Sequence, residues 1–213
     1  MRSLSLILAV FLFCQPVLAA DTARLYTLTT KDKADLTRIE NYLSNIHTIS
    51  SDFIQAAPSG DISMGKFYLQ RPNRLRMEYA PPTPVLMVTS GGYIIYYDKE
   101  LDQVSRILLE STLVGFLAKS NVKFDNTVII TGMEHDDDLL SVSLVQTKHP
   151  GDGTLTLEFS DNPIALHNMV VKDSSGQVTT VALNNARFNL PLDPTLFVFK
   201  DPHLGGSKRS IKN

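Results

Sequence analysis

The chain has 213 residues, with 20 basic and 22 acidic side chains and a net charge of −2. That balance offers no basic face for nucleic acid, and a single cysteine, Cys14, excludes a disulfide framework within the chain. No Gly/Ser or Pro-rich linker and no internal repeat divides the sequence, so one domain is expected over residues 20–213 after a short leader.

The leader reads as a secretory signal peptide over residues 1–19. Arg2 supplies the positive start, residues 4–13 are apolar except for Ser5, and Val17-Leu18-Ala19 suits cleavage after Ala19 or Ala20. The apolar run is short for a spanning helix, which needs about 20 residues; an uncleaved anchor is the alternative. Phe13 before Cys14 argues against lipid attachment at the cysteine, which needs a small residue there. Export is therefore expected.

Leu36, Ile39, Leu43 and Ile46 recur at steps of three and four, which predicts an amphipathic helix of about four turns, with Asp32 able to cap it. Residues 50–57 read as a first strand. In residues 65–79, Phe67 and Leu69, then Leu75, Met77 and Tyr79, alternate with polar residues around the bend Arg71-Pro72-Asn73. That is a hairpin with one apolar face and arginines near its turn. Residues 85–89 and 93–97 form a second hairpin around Ser90-Gly91-Gly92, and residues 103–109 follow as a strand. Thr112 opens a two-turn segment, Leu113 to Ala118, apolar on nearly every side and so expected to be buried. Further strands are expected over residues 126–133, 139–146, 154–159, 165–172 and 177–183, then an irregular stretch over 184–194 and a last strand over 196–199. Strands joined by tight turns make an antiparallel meander, and two helices are too few to cover both faces of it. A curved sheet wrapped around the helices is the expected geometry.

Chemistry is sparse. His47, His135, His149, His167 and His203 show no metal-ligand spacing. Glu134-His135-Asp136-Asp137-Asp138 reads as a solvated hairpin tip rather than a cation site, and Lys208, Arg209 and Lys212 as a solvated tail. There is no nucleophile elbow, phosphate loop or dinucleotide fingerprint. Catalysis, a cofactor and a metal are therefore not expected. On composition alone the apolar face is an ordinary core.

Three blocks change that reading. Residues 65–76 (GKFYLQRPNRLR), 90–98 (SGGYIIYYD) and 192–199 (LDPTLFVF) resemble, in order and spacing, the periplasmic outer-membrane lipoprotein carrier family, LolA. Ser90, Leu113 and Met77 depart from residues common in that family. The resemblance implies a mainly β (α+β) fold: an incomplete antiparallel β-barrel of about 11 strands with a helical lid over an apolar cavity. It implies that Phe67, Leu69, Leu75, Met77, Ile95, Leu113, Phe116 and Leu117 line the cavity and that Arg71 ties the lid shut. An arginine carries five donors, suited to binding several backbone carbonyls at a movable seam. The implied partners are lipoprotein acyl chains, an inner-membrane lipoprotein-releasing ABC transporter and an outer-membrane lipoprotein receptor, with the carrier a monomer. A lipid-binding sensor or receptor of the same fold is the alternative function; a periplasmic hydrolase would need a polar cluster in the cavity.

Overall fold

The structure is a computed structural model and describes residues 26–203. The expected leader over residues 1–19, Cys14 and the basic tail at 208–212 lie outside the described residues.

The order begins with helix α1 (Thr30–Ser44) and strands β1 (Thr48–Ala56), β2 (Ile62–Gln70), β3 (Arg74–Tyr79), β4 (Val85–Ser90), β5 (Tyr93–Asp98) and β6 (Gln103–Leu108). Helix α2 (Leu113–Ala118) follows, then β7 (Val128–Asp136), β8 (Leu139–Gln146), β9 (Gly153–Ser160), β10 (Ala165–Asp173) and β11 (Val178–Phe188). All eleven strands join one sheet in the order β6-β5-β4-β3-β2-β1-β11-β10-β9-β8-β7. Every pairing is antiparallel, and only β1 with β11 joins strands distant in sequence. The edges β6 and β7 do not meet, so the barrel stays open. The segment between them must cross from one edge to the other, and it carries α2 with it.

Local chemistry explains the elements. Helix α1 starts at Thr29, whose hydroxyl accepts from the Asp32 amide while the Asp32 carboxylate accepts from the Thr29 amide, at 3.1 and 2.8 Å. Asp32 thus completes a capping box from the third helical position instead of being the cap itself. The β4–β5 turn has Gly91 and Gly92 both at positive φ, 57° and 84°, the two-residue geometry that matches the twist of a hairpin. Asn73 closes the β2–β3 bend at φ 60°, a conformation that asparagine tolerates.

Two expectations near the C-terminus are corrected. The irregular stretch is shorter than 184–194 and covers residues 189–193: β11 runs on to Phe188, because a bulge opposite Ser50 and Asp52 absorbs the extra residues and Asn185 takes φ 53°. The expected last strand is instead a 3-10 turn, Pro194–Phe197, with Pro at its start and the Asp193 carboxylate accepting from the Thr195 amide at 2.9 Å.

The sheet's inner face and the helices share one core. Ile39 and Leu43 of α1 and Phe116 and Leu117 of α2 pack on Phe53, Phe67, Leu75, Leu140, Leu157 and Phe159 of the strands. Phe53 and Tyr79 meet edge to face at 5.0 Å. Gly65 lies between them on β2, and a Cβ there would stand 2.7 Å from the Phe53 ring and collide with the Glu78 carbonyl of β3. Gly65→Ala is therefore expected to destabilise the fold by about 1–3 kcal/mol, the usual cost of overpacking, read as a lower urea midpoint. An unchanged midpoint would contradict this account of the hairpin.

Candidate functional site

Between the inner face and the helices lies a small apolar cavity of about 70 Å³. One wall is the β2–β3 hairpin with Phe67, Leu69, Leu75 and Met77; Ile49 of β1 and Leu43 of α1 adjoin it, and Val114 and Leu117 of α2 cover it. The opposite wall is Leu155 of β9, Leu166, Met169 and Val171 of β10, and Val181 and Leu183 of β11. The space is about two water volumes. It is smaller than the roughly 150 Å³ that accommodates one benzene ring. In this conformation the site is closed. A separate open depression of about 490 Å³ is bounded by the turns at Pro72–Arg74 and Ser90–Gly92 and by Phe197 and Val198. It lies outside this core and exposes turn backbone.

Among the described residues, Arg71 is the one charged side chain on the cavity wall. It projects from the β2–β3 bend and donates to three carbonyls: Leu117 of α2 at 3.0 Å through Nε, and Leu43 and Ile46, at the end of α1, through Nη1. These carbonyls belong to helix ends, where backbone acceptors lack intrahelical partners and the helix dipole favours a cation. Two residues on, the Asn73 amide donates to the Ala118 carbonyl at 2.8 Å. One turn therefore holds the ends of both helices. Among the described residues no carboxylate pairs with Arg71, and burial alone pulls its pKa down from 12.5 to about 10. It remains charged at neutral pH.

Not every residue expected at the cavity is there. Phe67, Leu69, Leu75, Met77 and Leu117 line it, whereas Leu113 and Phe116 pack into the adjoining core, Phe116 against Phe124 with ring centres 5.6 Å apart. Ile95 is on the other side of the sheet. Met77 pairs with Met87 and Arg76 with Val88, and Val88 pairs with Ile95, so the period of two sends Ile95 outward. There it packs with Leu86 and Val88, beside Tyr97 and Phe199. The β9–β11 wall was not singled out beforehand. Its signal was the alternation of Leu155 with Leu157 and of the β10 and β11 apolar residues, which any core-facing strand also shows.

A second cluster holds α1 in place. Asp35, buried, accepts from Arg38 at 2.7 Å and sits 2.8 Å from His135 Nε2 of β7. Arg38 also donates to the Asp161 carbonyl at 2.9 Å. The Tyr42 hydroxyl accepts from the Leu166 amide at 3.0 Å, at the bulge in β10, and Glu40 accepts from the Phe124 amide at 2.7 Å. The charged tip expected over residues 134–138 is thus narrower: β7 continues to Asp136, and His135, still solvent-exposed, reaches the Asp35 carboxylate of α1. Burial would push the Asp35 carboxyl up, but its bonds to Arg38 and His135 outweigh that and hold it below the ordinary value. Asp32 behaves alike: burial raises it, and its bonds to Thr29 and Tyr26 with the charge of His135 bring it down. Among the described residues no His/Cys/Asp/Glu cluster is suited to a metal ion.

The fold and site define an open antiparallel β-barrel with helices tied over an apolar inner face. Sequence comparison gives its family. The family model for outer membrane lipoprotein carrier protein LolA matches residues 44–200, and the chain belongs to this family. An outer-membrane lipoprotein carrier protein of Alkalilimnicola ehrlichii is 30% identical over 92% of this chain and 89% of its own length. An uncharacterised protein of Rickettsia prowazekii is 25% identical over 79% of this chain and 78% of its own. Among solved structures, a LolA superfamily protein of Nitrosomonas europaea aligns over 77% of this chain and 97% of its own, with a TM-score of 0.44 and 12% identity.

The α1 cluster makes the fold sensitive to acid. Its carboxylates are more acidic folded than unfolded, so their contribution is complete above about pH 4 and is lost as the pH falls further. The melting temperature should drop steeply below about pH 4. Asp35→Asn should flatten that drop while costing about 1–3 kcal/mol at neutral pH, because it removes the buried carboxylate that Arg38 and His135 share and leaves only their contacts to Asp161 and Asp32. An acid limb as steep in the variant as in the wild type would contradict the assignment.

Proposed function

We propose that the protein is a periplasmic carrier that holds the acyl chains of lipoproteins between its sheet and its helices on their way from the inner to the outer membrane. It works without catalysis. The observation that carries this reading is the closed apolar cavity sealed by Arg71, a charged side chain bound only to the helix ends that cover it. Membership of the LolA family supports it, as do relatives named as lipoprotein carriers. On the same reading the chain is one exported domain acting as a monomer. It receives cargo from an inner-membrane lipoprotein-releasing ABC transporter and passes it to an outer-membrane lipoprotein receptor.

Magnitudes set the mechanism. A buried methylene contributes roughly 0.8 kcal/mol. Full burial of two chains of about 16 carbons would then contribute about 25 kcal/mol, above the roughly 20 kcal/mol at which non-covalent affinity saturates. A carrier bound that tightly would not let go. The closed state supplies the counterweight: loading must part Arg71 from its carbonyls, and unloading restores those bonds. Helix α2 is the element that moves. Helix α1 is held by the Asp35–His135 pair, Arg38, Tyr42 and Glu40. The six residues of α2 are tied to the hairpin through the carbonyls of Leu117 and Ala118.

Native mass spectrometry of protein purified from the periplasm, followed by solvent extraction, tests the reading. Arg71→Leu should retain acylated ligand at a level about tenfold or more above wild type, since about 1.4 kcal/mol of lost competition is enough for that. Met77→Glu, checked for folding by circular dichroism, should retain none. Absence of any acyl ligand from both the wild type and Arg71→Leu, in cells whose lipoprotein export is blocked, would contradict the reading.

A further inference from the structure

Ser51 is a polar residue in an apolar row. It pairs with Phe67 of β2 across the β1–β2 ladder, and Phe67 pairs with Met77 of β3, so the three side chains stand side by side on the inner face. Phe67 and Met77 line the cavity, as does Ile49, two residues from Ser51 on the same strand; Ser51 itself does not border the closed cavity and stands in the row of side chains behind its wall. Ser51 is only 4% exposed, and among the described residues its hydroxyl has no hydrogen-bond partner. The polar side chains nearby on that face are satisfied: Gln55 accepts from Tyr79 at 2.7 Å, and the Thr89 hydroxyl accepts from the Leu75 amide at 2.8 Å. A buried hydroxyl without a partner is costly, and alanine would fill the position without that cost. A trapped water is a poor remedy, because it needs two to four polar partners and Phe67, Ile49 and Phe53 offer none.

We propose that Ser51 becomes a ligand-recognising residue when the cavity widens to take an acyl chain, donating its hydroxyl proton to the carbonyl oxygen of an acyl ester or amide. The inference rests on the carrier reading above and adds to it which part of the ligand is recognised, and where. An esterified acyl chain brings one kind of polar group into an apolar site, a carbonyl that accepts and does not donate. Ser51 supplies the matching donor. Its position suits the task. The Ser51–Phe67–Met77 row lies between the Arg71 end of the cavity and the end at Val181, which pairs with Gln55 four residues further along β1. A carbonyl held at Ser51 leaves the methylenes of the chain to run on along Met169, Val171 and Val181. The hydroxyl thereby fixes the depth to which a chain enters, which burial of methylenes alone does not.

The test compares methyl palmitate with hexadecyl methyl ether, the same skeleton with the carbonyl replaced by a methylene. Each is titrated against a fluorescent apolar dye bound to the purified protein. The wild type should bind the ester about three- to tenfold more tightly than the ether, the value of one hydrogen bond. Ser51→Ala should bind both with the ether's affinity and unfold at no lower urea concentration than the wild type. Equal affinities in the wild type, or an ester preference that survives in Ser51→Ala, would overturn the assignment and leave the carrier reading standing. Failure of the wild type to bind either lipid would overturn the carrier reading, and the Ser51 assignment with it.

Discussion

A guanidinium without a carboxylate is what the closed state depends on. Arg71 gives up much of its hydration at the rim of an apolar cavity and receives three backbone carbonyls in return. Hydrogen bonds to a charged group contribute about 1.5–3 kcal/mol each, and the desolvation of the charge offsets much of that sum. The balance is a seam that holds yet can be parted. A buried carboxylate partner would have made it harder to open. An aliphatic side chain in its place would have left the Leu117 and Ile46 carbonyls without the guanidinium donor they have here.

The rest of the fold arranges for that seam to matter. Because β6 and β7 are opposite edges of one open sheet, the chain between them has to cross the barrel's opening, and α2 is part of that crossing. Helix α1 enters from the N-terminal side and is fixed by its own polar ties to β7, to the β9–β10 turn and to the segment near Phe124. The two faces of the sheet have separate duties. The inner face meets the helices. The outer face of β3–β6 is covered by the C-terminal segment, where the Arg76 guanidinium donates to the Leu196 carbonyl at 3.0 Å, Phe199 meets Tyr97, and Arg106 pairs with Asp201.

Much of this was legible in the sequence, and the failures have physical causes. Period two marked the β2–β3 hairpin, and period 3.6 marked α1, because each of these elements has one wet face and one dry face. Ile95 was misplaced for the opposite reason. Tyr93 to Tyr97 is a continuous apolar run, since Ile94 is buried on one side and Ile95 by Phe199 on the other, and a strand covered on both faces shows no alternation. The Asn184-Asn185 pair looked like a loop but serves as a bulge, which only the partner strand reveals. The tie between Asp35 and His135 spans a hundred residues of sequence, and no local pattern announces it. Arg71 stood out through resemblance. Its partners did not, because backbone carbonyls leave no signature in a sequence.

The most direct test of a seam that competes with cargo is amide hydrogen exchange at Asn73, whose N–H is donated to the Ala118 carbonyl across the junction between hairpin and α2. It would be measured with and without a saturating acylated lipopeptide. The account predicts slow exchange in the free protein and markedly faster exchange when the lipopeptide is bound, with the α1 amides unchanged. Protection at Asn73 that persists or increases in the loaded protein would contradict it.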